Sequence, residues 1–446
     1  MDETLSLPVA PGILRYEESA MDLVIRNARL RGKAELHDIG VTGGRIQAVI
    51  PKIAARGGEE IDARGNLVSP PFCDPHVHLD AVLSVGDPRY NESGTLLEGI
   101  KIWGERKPYL TRDVLVENAK QALLWEFANG VQFVRTHADT TDPTLLTVEA
   151  LLEVKEAMRD FMEVQIVAFP QDGIFTDPTG KVQKQMRRAM EMGVDVVGGI
   201  PHNELTREDG VLSVAYVFEL AEKFGALVDI HCDETGDDQS RFVEVMLKEA
   251  IYRDMGEKVA ASHTTAMHNY NNDYAFKLIG IAARSGVNFI TNPYDNSVLQ
   301  NRTDGYPRRR GHTRVDELDA AGVNVSIGHD SIMDPWYPMG TGSMLHAANL
   351  LMHMAHMSGH SQIPRLFSMI TDNSARTMQI EDRYGIEEGK PANLIVLDAM
   401  DEFDAIRRMP ECLYNIRKGS VALRTTPAKR VLNHAGFVTD VGFRIK

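Results

Sequence analysis

The sequence predicts an α/β protein, a closed (β/α)8 TIM barrel with a small β-sandwich domain formed from both chain ends. Three observations carry that expectation. Eight short β-rich apolar runs alternate with segments of helical periodicity, a pattern that calls for a parallel sheet closed into a barrel. Glycine-punctuated strands at the two extremes of the chain match each other in character. Histidines and carboxylates recur at the C-terminal ends of the runs, the rim where such barrels carry their chemistry.

In chain order, residues 1–20 lack a basic start and a long apolar core, so they read as an N-terminal extension rather than a secretory signal. Short strands follow over Leu23–Leu30, Asp38–Val41 and Gly43–Ile50, separated by glycine turns. Gly389–Asp398 and Val421–Leu423 answer them at the far end, so 21–68 and 380–446 are assigned to one small β domain and 69–379 to the barrel. Gly65–Pro70 reads as the end of a buried strand, with Pro70 and Pro71 at its terminus.

The first barrel run leads into Pro75-His76-Val77-His78. The others are Val131–His137, Val164–Phe169, Val194–Ile200, Ala226–His231, Val259–His263, Val287–Asn292 and Val323–Asp330. Between them Thr147–Phe161, Lys181–Met192 and Ser240–Met255 carry apolar residues at helical spacing.

Composition narrows the function classes. The chain has 446 residues, 43% apolar and 25% charged, an ordinary balance for a globular protein with a sizeable core. A net charge of −15 argues against nucleic acid or an anionic membrane surface and favours a small-molecule ligand. Cys73, Cys232 and Cys412 are too scattered for a disulfide framework, which points to a reducing cytoplasm. No run of about 18 apolar residues is present to span a membrane.

Side chains two apart on a strand share a face, so His76 and His78 converge. The fifth run ends in His231-Cys232-Asp233-Glu234, the sixth in His263 and the eighth in His329-Asp330-Ser331. His76, His78, His231 and Asp330 suit one divalent transition metal with a coordination position left for water. Glu234, in the loop above them, can protonate a ring nitrogen of a substrate while activated water attacks. His263 would hold that water and Asp330 accept its proton. Gln171 offers an amide to a ring edge, and Trp336 can cap the pocket.

PHVHLD, VRTHAD, IVAFPQDGI, DIHCDE, ASHTTAMH and IGHDSIMDPWYP together make the sequence resemble the bacterial cytosine deaminase branch of the amidohydrolase superfamily, from about Asp22 to Val421. The resemblance implies a mononuclear Fe2+ or Zn2+ site on His76, His78, His231 and Asp330. It puts Glu234 and His263 in proton transfer and Gln171 and Trp336 against the base. The absence of a lysine in the third and fourth runs agrees with one metal rather than two.

One position departs from the branch. Where the cytosine-specific enzymes have a second aspartate after the metal aspartate, this chain has Ser331. The smaller serine is expected to remove a carboxylate from the pocket wall and admit a C5 substituent, making 5-methylcytosine a substrate beside or instead of cytosine. Asn203 stands where an aromatic residue is expected and leaves the identity of the substrate more open. Isocytosine, isoguanine, creatinine or an aminotriazine are alternative substrates, and a catalytically silent base-binding protein is the alternative of another class.

Two features are read as structural. Arg308-Arg309-Arg310 is expected in an ion-paired loop rather than on nucleic acid. His346, His353, His356 and His360, interleaved with methionines, are expected on a Met-rich helix packed against the barrel or a neighbouring subunit, consistent with a homo-oligomer. Cys232 is expected to face away from the ligands.

Overall fold

The computed structural model describes residues 21–444; the extension expected over 1–20 lies outside them. Val, Ile and Phe dominate the eight apolar runs because β-branched and aromatic side chains fill a pleated, doubly covered surface. They form β1 (Phe72–Val77), β2 (Val131–Asp139), β3 (Glu163–Phe169), β4 (Val196–Gly199), β5 (Leu227–Cys232), β6 (Val259–His263), β7 (Asn288–Thr291) and β8 (Val325–Ile327). All pair in parallel with their sequence neighbours.

The seam between β1 and β8 lies where the site residues are. Val77 bridges Asp330 in parallel. The His78 amide donates to the Asp330 carbonyl at 2.9 Å, and the Asp330 amide donates to the His76 carbonyl at 2.8 Å. Closing the barrel therefore brings together residues some 250 positions apart in the chain.

Helices cover the outside, including Leu146–Met158, Lys181–Glu191 and Phe242–Tyr252. Local chemistry sets their ends. The Arg207–Phe224 helix starts after Thr206, whose side chain accepts from the Asp209 amide, and stops at Gly225 in the left-handed conformation. Val134, Ile166, Val197, Val228 and Phe289 from the strands join Leu151, Met186, Phe218 and Leu247 from the helices in one core.

The chain ends form two further sheets. Arg45–Ile50, His37–Thr42, Met21–Ala28 and Gly57–Asp62 lie side by side, the last pair parallel. Ser420–Arg424, Cys412–Arg417, Leu394–Leu397 and Val68–Ser69 form the other, antiparallel throughout. Ile25, Ile39, Val41 and Ile46 of the first meet Val68, Leu394, Val396 and Ile416 of the second, giving a sandwich core. Gly44 is held at φ +73°, where a Cβ would lie 2.8 Å from the Lys418 carbonyl oxygen, so glycine is required there.

This is the barrel with chain-end sheets read from the sequence, with three corrections. The strand before the two prolines, Val68–Ser69, belongs to the sandwich through its pairing with Leu394–Leu397; the barrel begins after them, at Phe72, and the prolines mark the crossing. Gly57–Asp62, Cys412–Arg417 and a hairpin of Val431–His434 with Phe437–Asp440 are strands that the reading missed. The first is mostly polar and the hairpin is exposed, so neither shows an apolar run. The Met-rich helix ends at Met354, leaving His356 and His360 beyond it, while Met344 and Met357 pack into the barrel core.

Arg309 pairs with Asp304, and Arg310 donates to the Met354 carbonyl, so the arginine run is partnered locally. Cys232 is buried in the core. Among the described residues no helix is long and apolar enough to cross a membrane.

Candidate active site

Four imidazoles meet at the C-terminal end of the barrel: His76 from β1 and His78 just after it, His137 from β2 and His231 from β5. One ring nitrogen from each lies within 4.8 Å of the others. Burial holds all four neutral by disfavouring the imidazolium, pushing His78 down to about 3. Neutral imidazoles are the form that binds metal.

Their partners settle which nitrogens are bare. Ser262 Oγ donates to Asp229 Oδ1 at 2.6 Å, and Asp229 Oδ2 is paired with Arg135 at 3.1 Å. The serine has spent its one proton, so its oxygen accepts from His76 Nδ1 at 2.9 Å. His76 Nε2 is thus the unprotonated nitrogen, and it has no partner. His137 Nδ1 lies 3.4 Å from the Val77 carbonyl, which can only accept, and again Nε2 is left without a partner.

His78 Nε2 and His231 Nε2 face each other at 3.0 Å. Asp330 Oδ1 lies 3.5 Å from both His76 Nε2 and His78 Nε2. Zinc–nitrogen bonds of about 2.0–2.1 Å place neighbouring ligand atoms roughly 3.0–3.4 Å apart. Donor type, spacing and unpartnered buried nitrogens therefore fit a divalent cation among His76, His78, His231 and Asp330, with His137 beside them. His137 ends the second run as read from the sequence yet is not among the expected ligands; its place at a strand end is the signal that points to it.

Asp330 and His263 both stand in the left-handed backbone region, at φ 70° and 67°. Such conformations are uncommon for residues with a Cβ and concentrate at functional sites. They turn both side chains off the strand ends into the cavity. His263 Nδ1 lies 3.6 Å from Glu234 Oε1 and 3.8 Å from Asp330 Oδ2. Asn296 donates to His263 Nδ1 at 3.0 Å and Asn292 approaches Nε2 at 3.2 Å.

Burial raises the Glu234 carboxyl to about 8, with only Gln300 Nε2 at 3.3 Å to offset it, so it is protonated at neutral pH. Asp330 is likewise raised by burial and then by Asp295 and Glu234.

Gln171, Glu234, His263, Asp330, Ser331 and Trp336 all line one cavity, together with His78 and His231. Leu96, Ile200 and Leu299 supply its apolar walls. Trp336 is seated by its backbone amide on Asp334 Oδ1 at 2.9 Å and packs on Gly99, where a Cβ would come within 2.4 Å of its ring. Asn203 lies outside this cavity, in the wider vestibule, with Nδ2 3.2 Å from the Gln171 carbonyl.

The wall at Ser331 still carries a carboxyl group, supplied by another residue. Ser331 Oγ donates to Asp295 Oδ2 at 2.7 Å, and Asp295 itself lines the cavity. Asp295 arrives on the Pro293–Leu299 helix after β7, so inspection of the HDS triplet could not reveal it.

Comparison with known proteins agrees with this geometry. The amidohydrolase family matches residues 59–426. The 5-methylcytosine deaminase of Klebsiella pneumoniae, in a structure liganded with phosphonocytosine, is 47% identical with a TM-score of 0.88, covering 91% of this chain and 99% of that one. N-isopropylammelide isopropyl amidohydrolase of Pseudomonas sp. (strain ADP) is 31% identical over 414 residues, 90% of this chain and 97% of the relative. Pterin deaminase of Rhizobium rhizogenes is 27% identical over 409 residues, 89% of this chain and 90% of the relative. A barrel whose rim gathers imidazoles and protonated carboxyls, matched in sequence across most of its length, belongs to the amidohydrolase family, in its cytosine deaminase-like branch.

Proposed function

We propose that the protein deaminates 5-methylcytosine and cytosine hydrolytically, giving thymine or uracil and ammonia. The observation that carries the substrate is the near-full-length likeness to 5-methylcytosine deaminase, well above that to the triazine-derived or pterin relatives. The cavity supplies matching chemistry: an apolar slot with acid, base and amide groups converging on it.

His76, His78, His231 and Asp330 would hold one divalent cation, Fe2+ or Zn2+, which when bound supplies Lewis-acid activation of the attacking water. Glu234, protonated by burial, gives its proton to N3 of the base as C4 becomes tetrahedral. His263, steadied by Asn292 and Asn296, holds the water against C4. Asp330 takes a proton from the water and passes it to the exocyclic amine, which leaves as ammonia. Gln171 reads the ring edge, Trp336 caps the slot, and Ser331 stands beside C5. The division of 69–379 against 21–68 and 380–446 is shifted so that the barrel begins at Phe72, because Val68–Ser69 pairs within the companion domain.

The test is ammonia release from 5-methylcytosine, cytosine, isocytosine, creatinine and ammelide by metal-reconstituted enzyme, compared as kcat/KM. A value for 5-methylcytosine equal to or above that for cytosine is expected. No turnover of either pyrimidine, with release from ammelide, would replace this reading with the triazine one.

A further inference from the structure

The wall of the cavity beside Ser331 is not built for a methyl group alone. Asp295 is 2% exposed and lines the cavity; its Oδ2 accepts from Ser331, but its Oδ1 has no partner. Behind it Asp334, equally buried, accepts two backbone amides on Oδ1 and leaves Oδ2 without a partner. Two carboxyl groups with an unmatched oxygen each thus stand behind one serine. A buried polar atom left unmatched is destabilising, and a methyl group cannot match it.

We infer that the enzyme also deaminates cytosines bearing a hydroxylated one-carbon group at C5, 5-hydroxymethylcytosine first among them, with Asp295 as the residue that selects the hydroxyl. This rests on the reading above that C5 of a cytosine faces Ser331. A hydroxyl both donates and accepts, so it pairs with Asp295 Oδ1 whether that carboxyl is protonated or ionised. A methyl group at C5 leaves that oxygen unmatched, whereas a hydroxymethyl group matches it.

The reaction balances as for the parent base. The oxygen of one water bonds to C4, the C4–N4 bond breaks, one proton ends on N3 and the other leaves with N4 as ammonia, giving 5-hydroxymethyluracil. The C5 substituent takes no part in bond making.

The experiment measures kcat/KM for 5-hydroxymethylcytosine, 5-ethylcytosine, 5-methylcytosine and cytosine on the metal-loaded wild type and Asp295→Ala. In the wild type the hydroxymethyl base is expected within tenfold of the methyl base or better. Asp295→Ala should lower the hydroxymethyl-to-methyl ratio about tenfold, the loss of one hydrogen bond to a buried acid. Should Asp295→Ala fail to fold, 5-ethylcytosine on the wild type serves instead: it has the size of the hydroxymethyl base without the hydroxyl and is expected about tenfold below it. Turnover of 5-methylcytosine without 5-hydroxymethylcytosine overturns the inference and spares the proposed function, as does an unchanged ratio in Asp295→Ala or 5-ethylcytosine turned over as well as 5-hydroxymethylcytosine. No turnover of any cytosine overturns both.

Discussion

The floor and the side wall of the cavity are both buried and polar, yet they are unmatched in opposite ways. On the floor, His76, His137 and His231 leave ring nitrogens without partners, and burial keeps the rings neutral. Lone pairs gathered this closely repel unless a cation lies among them. On the wall, Asp295, Asp334 and Glu234 are carboxyls that burial holds partly or fully protonated, raising Asp334 to about 7 and Glu234 to about 8. That wall offers hydrogen bonds rather than charge. The difference teaches that one cavity can demand a metal at one end and a neutral heterocycle at the other.

The sharpest break of this contrast is to empty the floor. Removing metal with a chelator is expected to abolish ammonia release, with recovery on adding Fe2+ or Zn2+. Activity persisting in metal-free enzyme would leave the unpaired nitrogens without a purpose.

Glu234→Gln separates wall from floor. It keeps the size and a hydrogen-bond donor but removes the transferable proton, so kcat should fall about 10²–10⁴-fold with metal content unchanged. The same variant reports on burial. Glu234 titrates at the usual 4.5 when unfolded and about 8 when folded. Between those values the unfolded chain has released a proton that the folded one keeps, so stability falls as pH rises through that window. Metal-free wild type should therefore lose more Tm between about pH 5 and pH 8 than Glu234→Gln does.

Ser262→Ala tests how the floor is aimed. It cuts the Arg135–Asp229–Ser262–His76 chain without touching a ligand atom, and should weaken metal binding about 10–100-fold, measured by competition with a chelating dye. Unchanged affinity would mean that packing alone orients His76.

The smallest effect belongs to the cap. Gly99→Ala pushes on Trp336 and is expected to cost about 1–3 kcal/mol as overpacking, read as a lower Tm and a raised KM with kcat nearly kept.

The barrel was readable because its signal is local: each strand is a short apolar run, and each helix repeats at its own period. Sandwich strands such as Gly57–Asp62 were not, because a polar edge strand carries no such run. Among the site residues at strand ends, His76, His78, His231, His263 and Asp330 follow from position, whereas His137 does not. Those that act from the next element, namely Ser262 behind His76, Asn292 and Asn296 on His263, and Asp295 on Ser331, were missed. Their importance lies in whom they face, and only the closed barrel decides that.

The sequence by itself determined the alternation of strand and helix, and with it the rim on which His76, His78, His231, His263, Glu234 and Asp330 must appear, since periodicity dictates which side chains face inward and which end is up. Tertiary structure alone decided the rest. The β1–β8 seam sets Asp330 between His76 and His78, Ser262 on β6, a strand that does not pair with β1, chooses the tautomer of His76, and the helix after β7 brings a carboxyl of its own to the wall beside Ser331. Hydrogen bonds and burial between segments far apart in the chain are properties of the closed barrel, and no local pattern encodes them.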